Sequence, residues 1–223
     1  MSPRRRDSTP GPTAAAALAE SLRERILEGD PAPGTALREE ELAQAHDLSR
    51  HTVRAALAML GAERLVEVVP YRGARVATLD DAALIALQQL RAALETEAVR
   101  LLGDTHPSGW PIEVRAPIDA AIDALAAAEG SADWSATTRA HAGVHRAIVA
   151  AADSPRIAEA HAHLEAEILL LLAQVRPDYP PGGLTAEHRS YVDALGREGG
   201  AAVREHLAHS TALIRAARAK NTN

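Results

Sequence analysis

The residues of this 223-residue chain best suited to chemistry are histidines. His141 and His145 stand four apart, so a helix projects both from one face. That face also carries Trp134, Val144, Ile148 and Ala152, which makes it the core-facing stripe. His188 falls inside a second stripe formed by Leu184, Tyr191, Val192 and Leu195. His206 lies at the edge of a third, with Val203, Leu207 and Ile214, and His209 is turned further out. Imidazoles aimed into an apolar core are costly without partners. The usual partner of clustered neutral histidines is a divalent transition metal. The spacing therefore points to His141, His145, His188 and His206 as metal ligands, with His209 in reserve. The alternative is four core histidines held by hydrogen bonds alone. His161 and His163 are two apart, so they diverge and read as surface or bundle-edge residues.

Arg91 and Glu95 form a second constellation, on the core stripe of Leu84, Leu87, Leu94, Ala98 and Leu102. Two charges at this spacing can pair with each other. The other reading gives Arg91 the clamping of a ligand carboxylate, for which a guanidinium fork is suited. A metal beside one arginine in a helical cavity favours a small anionic effector, with Arg91 and Glu95 as effector-binding candidates.

A third constellation lies near the N-terminus, in the run from Leu48 to Leu60. Ser49 suits an N-cap, since its hydroxyl can accept from an unpaired amide of the first turn. Val53, Ala56, Leu57 and Leu60 share one stripe, while His51, Thr52, Arg54, Ala55 and Ala58 face away. Small residues with basic neighbours are what a helix entering the major groove requires.

The elements that must position these groups are legible around them. Ala14 to Glu28 carries Leu18, Leu22 and Ile26 on one face and reads as a first helix, stopped by Pro31, Pro33 and Gly34. Leu37 to Ala43 opens a second helix, acid-rich at its start, where the helix dipole favours carboxylates. Asp47-Leu48 turns into the capped helix. Leu65 to Val69 and Ala74 to Ala77 read as two strands joined by the turn Pro70-Tyr71-Arg72-Gly73. This hairpin carries Arg72 at its tip, placed to reach phosphate or the minor groove. From Asp80 onward the pattern is helical throughout, with helices expected near 80–103, 112–129, 133–152, 155–176, 185–196 and 200–219. The expected fold is mostly α: a winged helix-turn-helix over 14–78, then an all-α antiparallel bundle of about six helices over 79–223, preceded by a disordered arm over 1–13.

Composition narrows the function classes. There is no Cys, which excludes disulfides and thiolate metal sites. No run approaches the ~20 apolar residues of a membrane span. Arg4-Arg5-Arg6 is not followed by an apolar stretch, so it is no secretion signal, and the expected location is cytoplasmic. The net charge of -6 is uneven: residues 1 to 78 hold 11 Lys/Arg and 11 Asp/Glu, residues 79 to 223 hold 13 and 19. The acidic part should face away from DNA, and DNA affinity should be salt-dependent. Phe is absent and aromatics are 2%, which disfavours stacking on single-stranded bases.

Residues 14 to 78 resemble the GntR family of bacterial transcription regulators. The resemblance is carried by Leu37 to Ala43, Leu48 to Leu57, Leu65-Val66-Glu67 and Arg72-Gly73. Residues 80 to 215 resemble the FCD effector domain of the FadR-type branch, through Leu90 to Glu95, His141 to Ile148, Glu187-His188-Arg189 and Arg204 to Leu207. The resemblance implies a homodimer that reads a palindromic double-stranded operator and senses a metabolite. DNA contacts then fall to Arg38, Ser49, Arg50, His51, Thr52, Arg54, Arg72 and Gly73. It also implies a metal held by one Asp and three His at the floor of an effector pocket, typically for carboxylates and hydroxy acids. Three of those ligands carry over to His145, His188 and His206, while the Asp position is His141 here. An all-histidine set carries one more positive charge than the Asp-containing set and, on acidification, should lose metal at a higher pH than that set does; the alternative is a site that no longer holds metal. All-nitrogen coordination leans towards zinc or nickel over manganese or iron. A competing class is a metal-dependent hydrolase or lyase using the histidine cluster, against which no carboxylate stands beside the histidines as an obvious general base.

Overall fold

The structure is a computed structural model that describes residues 11–69, 73–131, 133–175 and 179–221. The chain divides after Ala77 into two compact units.

The first unit runs α1 (Ala14–Glu28), β1 (Ala36–Leu37), α2 (Glu39–His46), α3 (Arg50–Ala62), β2 (Val66–Val69) and β3 (Gly73–Val76). Its buried apolar residues are those of the expected stripes: Leu18, Leu22 and Ile26 of α1, Val53, Ala56, Leu57 and Leu60 of α3, together with Leu65, Val66 and Val76. Asp47 ends α2 in the left-handed region at φ 50, its N–H bonded to the Ala43 carbonyl, and so turns the chain into α3. Arg23 grips Glu63 with two hydrogen bonds of 2.6 Å, tying α1 to the end of α3.

Two sequence expectations are corrected in this unit. The second helix starts at Glu39, not Leu37, because Ala36 and Leu37 form a third strand. The sheet is antiparallel with order β1-β3-β2, pairing Leu37 with Ala74 and Val66 with Val76. A strand of two residues has no periodicity to read. Its presence explains Gly73: φ is +93, and a Cβ there would sit 2.3 Å from the Leu37 carbonyl oxygen. Glycine is thus required by the close approach of β1.

The second unit runs α4 (Asp81–Thr105), α5 (Ile112–Gly130), α6 (Trp134–Ala151), α7 (Pro155–Ala162), α8 (Glu165–Gln174), α9 (Gly183–Glu198) and α10 (Gly200–Asn221). The helix expected over 155–176 is two helices. Leu164 N–H bonds to the His161 carbonyl, a tight three-residue step that resets the helical phase. The apolar run Ile168 to Leu172 hid this break.

α4 packs on α6, α7 and α10, α6 on α5, α7 and α8, and α9 on α5 and α10. Two apolar clusters form. One holds Ile118, Leu125, Val144, Ile148, Val192 and Leu195; the other holds Leu84, Leu87, Leu164, Ile168, Leu171 and Ile214. Along α4 the buried order is Leu84 and Leu87, then Gln88, Arg91 and Glu95, then Ala98, Val99 and Leu102. A polar layer therefore interrupts the core between apolar segments. The helices that build it start at defined points. Asp80 caps α4 and Asp133 caps α6 through side-chain hydrogen bonds of 2.8 and 3.0 Å. α9 begins at glycine without a side-chain cap of its own; Glu129 of α5 accepts instead from the N–H groups of Leu184 and Thr185 and from the Thr185 hydroxyl.

Gly73→Ala should destabilise the first unit by about 2 kcal/mol, since it combines positive φ with a backbone clash. Thermal unfolding would show a lowered midpoint for this unit; an unchanged midpoint would contradict the role given to β1.

Candidate functional site

On α3, Ser49 is the N-cap: its Oγ accepts from the Thr52 N–H at 3.1 Å and lies 2.8 Å from Thr52 Oγ1. His51 is exposed, and Arg50 and Arg54 expose more than half of their side chains. Each arginine is engaged by the acidic start of α2. Arg50 donates to Glu40 at 2.6 Å, Arg54 to both oxygens of Glu39 at 3.1 and 2.8 Å, and Arg38 to Glu41 at 2.6 Å. Exposed pairs of this kind are weak, so phosphate or a base edge can displace them. Arg72 and the arginines at positions 4 to 6 lie outside the described residues.

In the second unit the structure brings the histidines together. His141 and His145 come from the middle of α6 and His188 from α9, and their ligand nitrogens lie within 4.8 Å of one another. His145 and His188 are each 1% exposed. Burial pushes the His188 imidazole down to about 4, and pushes His141 and His145 well below the usual value, against the pull of Glu95 on His145. All three are neutral at pH 7, which is the form that ligates metal.

Their tautomers follow from their partners. His188 Nδ1 donates to the Leu184 carbonyl at 2.8 Å, and His145 Nδ1 donates to Glu95 at 3.0 Å. Each ring therefore presents a bare Nε2, and the two Nε2 atoms face each other at 3.4 Å. Two lone pairs at this distance repel unless a cation lies between them. The separation matches that of two nitrogens on one tetrahedral ion with bonds of about 2.0–2.1 Å. Backbone carbonyl and carboxylate acceptors on the far nitrogen are the usual support of metal-ligating histidines. His141 Nδ1 is buried without a hydrogen-bond partner. The residues present thus fit a divalent metal.

His206 is buried beside this trio, its ring centre 4.8 Å from His188 and 5.3 Å from His145, but it is not part of the close group. Its ring stacks on Tyr191 at 4.1 Å, and its Nδ1 lies 3.2 Å from Glu187. Burial opposes ionisation of Glu187, yet the contact with His206 holds its carboxyl below the usual range. His209 is more than half exposed, 3.9 Å from the same carboxylate.

Glu95 is fully buried. Burial works to raise its pKa, but His145, Arg91 and His161 hold it well below the usual range, so it is ionised. Arg91 sits 3.1 Å from Glu95 and donates to Gln88 at 2.9 Å. The two charges therefore satisfy each other inside the core, as their spacing allows. Two carboxylates stand beside the histidines, Glu95 against His145 and Glu187 against His206.

His161 is the residue the sequence reading missed. It is 5% exposed and reaches Glu95 at 3.2 Å. Its signal was the stripe Ile157, His161, Leu164 and Ile168, masked by the exposed His163 two residues on.

A narrow cavity adjoins His141, lined also by Trp134, Thr138, Tyr179, Ser210 and Ile214. It admits the centre of a water-sized sphere over only about 20 Å3, room for one or two waters. No helix among the described residues is long and apolar enough to cross a membrane.

Comparison with known proteins agrees with both halves. Residues 14–76 match the family described as bacterial regulatory proteins, gntR family, and residues 86–212 match the FCD domain. A protein of Paenarthrobacter nicotinovorans named "Probable D-xylose utilization operon transcriptional repressor" is 31% identical over 183 residues, covering 82% of this chain and 79% of its own. The "HTH-type transcriptional repressor GlaR" of Escherichia coli K12 is 32% identical over 136 residues, 60% of each chain. The fold is shared with a crystal structure of a GntR transcriptional regulator from Rhodococcus sp. RHA1, at TM-score 0.75 and 24% identity over 91% of this chain and 98% of that one. This chain belongs to the GntR family of DNA-binding transcription regulators, with an FCD domain as its second half.

Proposed function

We propose that this protein is a repressor whose operator affinity responds to a small carboxylate bound beside a metal in the FCD domain. The observation that carries the reading is the pair of bare Nε2 atoms of His145 and His188, 3.4 Å apart, with His141 Nδ1 buried and unpaired next to them. His141, His145 and His188 hold the metal and His206 stands ready as a further ligand from α10. The nitrogen donor set favours zinc or nickel over manganese or iron. When bound, the metal supplies a positive centre to which a carboxylate oxygen can coordinate. The Thr138 and Ser210 hydroxyls border the adjoining cavity and can hydrogen-bond the rest of the acid. A cavity this narrow accepts a multi-carbon acid only when its walls move. Tyr179, and Leu172 in the last turn of α8, are among those walls. That movement gives an effector different affinities for two arrangements of the protein, which is the condition for control.

At the operator, a homodimer places two α3 helices in successive major grooves of a palindrome. Arg50 and Arg54 exchange Glu40 and Glu39 for base edges or phosphate, with Ser49, His51 and Thr52 setting the helix start and Arg38 on the adjoining backbone. Arg72 and Gly73 approach from the wing. Repression is the role named for two relatives, the D-xylose operon protein and GlaR.

Arg54→Ala should weaken operator binding about ten- to a hundredfold while circular dichroism stays native, because the side chain is exposed and paired only at the surface. Unchanged affinity in a gel-shift titration would remove α3 from the interface. A second expectation concerns pH. The His188 imidazole titrates near 4 when folded and near 6.5 when free, so the folded state binds fewer protons below 6.5. Its contribution to stability is complete above that pH and is lost as pH falls towards 4, by about 3 kcal/mol in all; His141 and His145 act in the same direction. Urea midpoints of the chelated protein should therefore fall between pH 7 and 5. A flat profile would contradict the burial of neutral imidazoles.

A further inference from the structure

The carboxylate of Glu95 receives groups from four helices. Arg91 of α4 donates through Nε to Oε1 at 3.2 Å, and His161 of α7 meets the same oxygen through Nε2 at 3.2 Å. His145 of α6 meets Oε2 through Nδ1 at 3.0 Å, and Tyr191 of α9 donates its hydroxyl to Oε2 at 3.3 Å. An ionised carboxylate is an acceptor only, with about four lone-pair sites for its two oxygens. Every group that points at it must therefore bring a proton. This requirement decides the chemistry of His145. Its Nδ1 must carry the hydrogen, so its Nε2 must present the lone pair, and that Nε2 is the atom facing His188.

We propose that Glu95 is a positioning residue for the metal centre: its buried carboxylate, filled by four donors, fixes the tautomer and orientation of His145. The proposal rests on the reading of His141, His145 and His188 as metal ligands. It identifies Glu95 as the group that makes one of them competent without touching the metal. A neutral amide at this position would not do the same. Glutamine presents a donor as well as an acceptor, so it permits the opposite imidazole tautomer, in which Nε2 carries the proton and cannot ligate. Tyr191 links the same carboxylate to His206, on which its ring stacks at 4.1 Å. Glu95 thereby also restrains the wall against which the fourth histidine rests.

The test measures tautomer and affinity separately on the full chain. Long-range proton–nitrogen correlation spectra of the chelated native protein should show His145 protonated at Nδ1 and bare at Nε2. The opposite tautomer there would overturn the proposal without any variant, and whether or not metal binds. In Glu95→Gln, competition against a chromophoric chelator with zinc as probe should show affinity reduced about ten- to a hundredfold, with the His145 signals moving towards the Nε2-protonated form. Zinc affinity within twofold of native and an unchanged tautomer would overturn it. Native protein that binds no zinc while His145 keeps its Nδ1 proton would defeat the metal reading and leave the positioning by Glu95 standing.

Discussion

A carboxylate with no exposure in a helical bundle is the constraint on which the FCD half of this protein is organised. An isolated buried anion would cost many kcal/mol, so Glu95 is tolerated only because Arg91, His145, His161 and Tyr191 converge on it from four helices. Those groups are then themselves fixed. The bundle gains a polar layer between two apolar clusters, and the layer hands its geometry to the histidines. The same carboxylate that neutralises Arg91 sets the lone pair of His145, which meets that of His188. Each polar group answers the one before it, until two bare nitrogens and an unpaired His141 remain at the end of the chain of contacts.

The support reaches further along α9. Glu129 holds the Leu184 and Thr185 amides, and the Leu184 carbonyl accepts the His188 Nδ1 proton. A glycine-led helix without its own cap is thus anchored at the turn that orients a candidate ligand. Both rings in the facing pair are consequently set from outside by groups on other elements or on the preceding turn. In the DNA-binding half the electrostatics are of another kind. Arg38, Arg50 and Arg54 are exposed and paired with Glu41, Glu40 and Glu39, weak contacts that leave the arginines free to exchange partners.

Much of this was legible in the sequence. Phase alone put Val53, Ala56, Leu57 and Leu60 inside, Arg54 outside, and His141, His145, His188 and His206 into the core, because helical period and burial go together in an amphipathic helix. The start of α3 followed its cap at Ser49, and the end of α1 followed the breakers Pro31, Pro33 and Gly34. What was not legible depended on contacts distant in the chain. The strand at Ala36–Leu37 is defined only by its pairing with β3. The break at His163–Leu164 carries no Gly or Pro at the step itself. Glu95 and His161 are 66 residues apart, and nothing local says that one answers the other. Arg91 offered two readings from spacing, and the fold shows its pairing with Glu95 at 3.1 Å.

The metal-holding role of the buried histidines is open to elemental analysis of protein purified without chelators. Close to one equivalent of zinc or nickel per native chain is expected, and its loss from His145→Ala. Native protein free of metal, folded and binding its operator, would contradict it and reduce the three histidines to core polar residues.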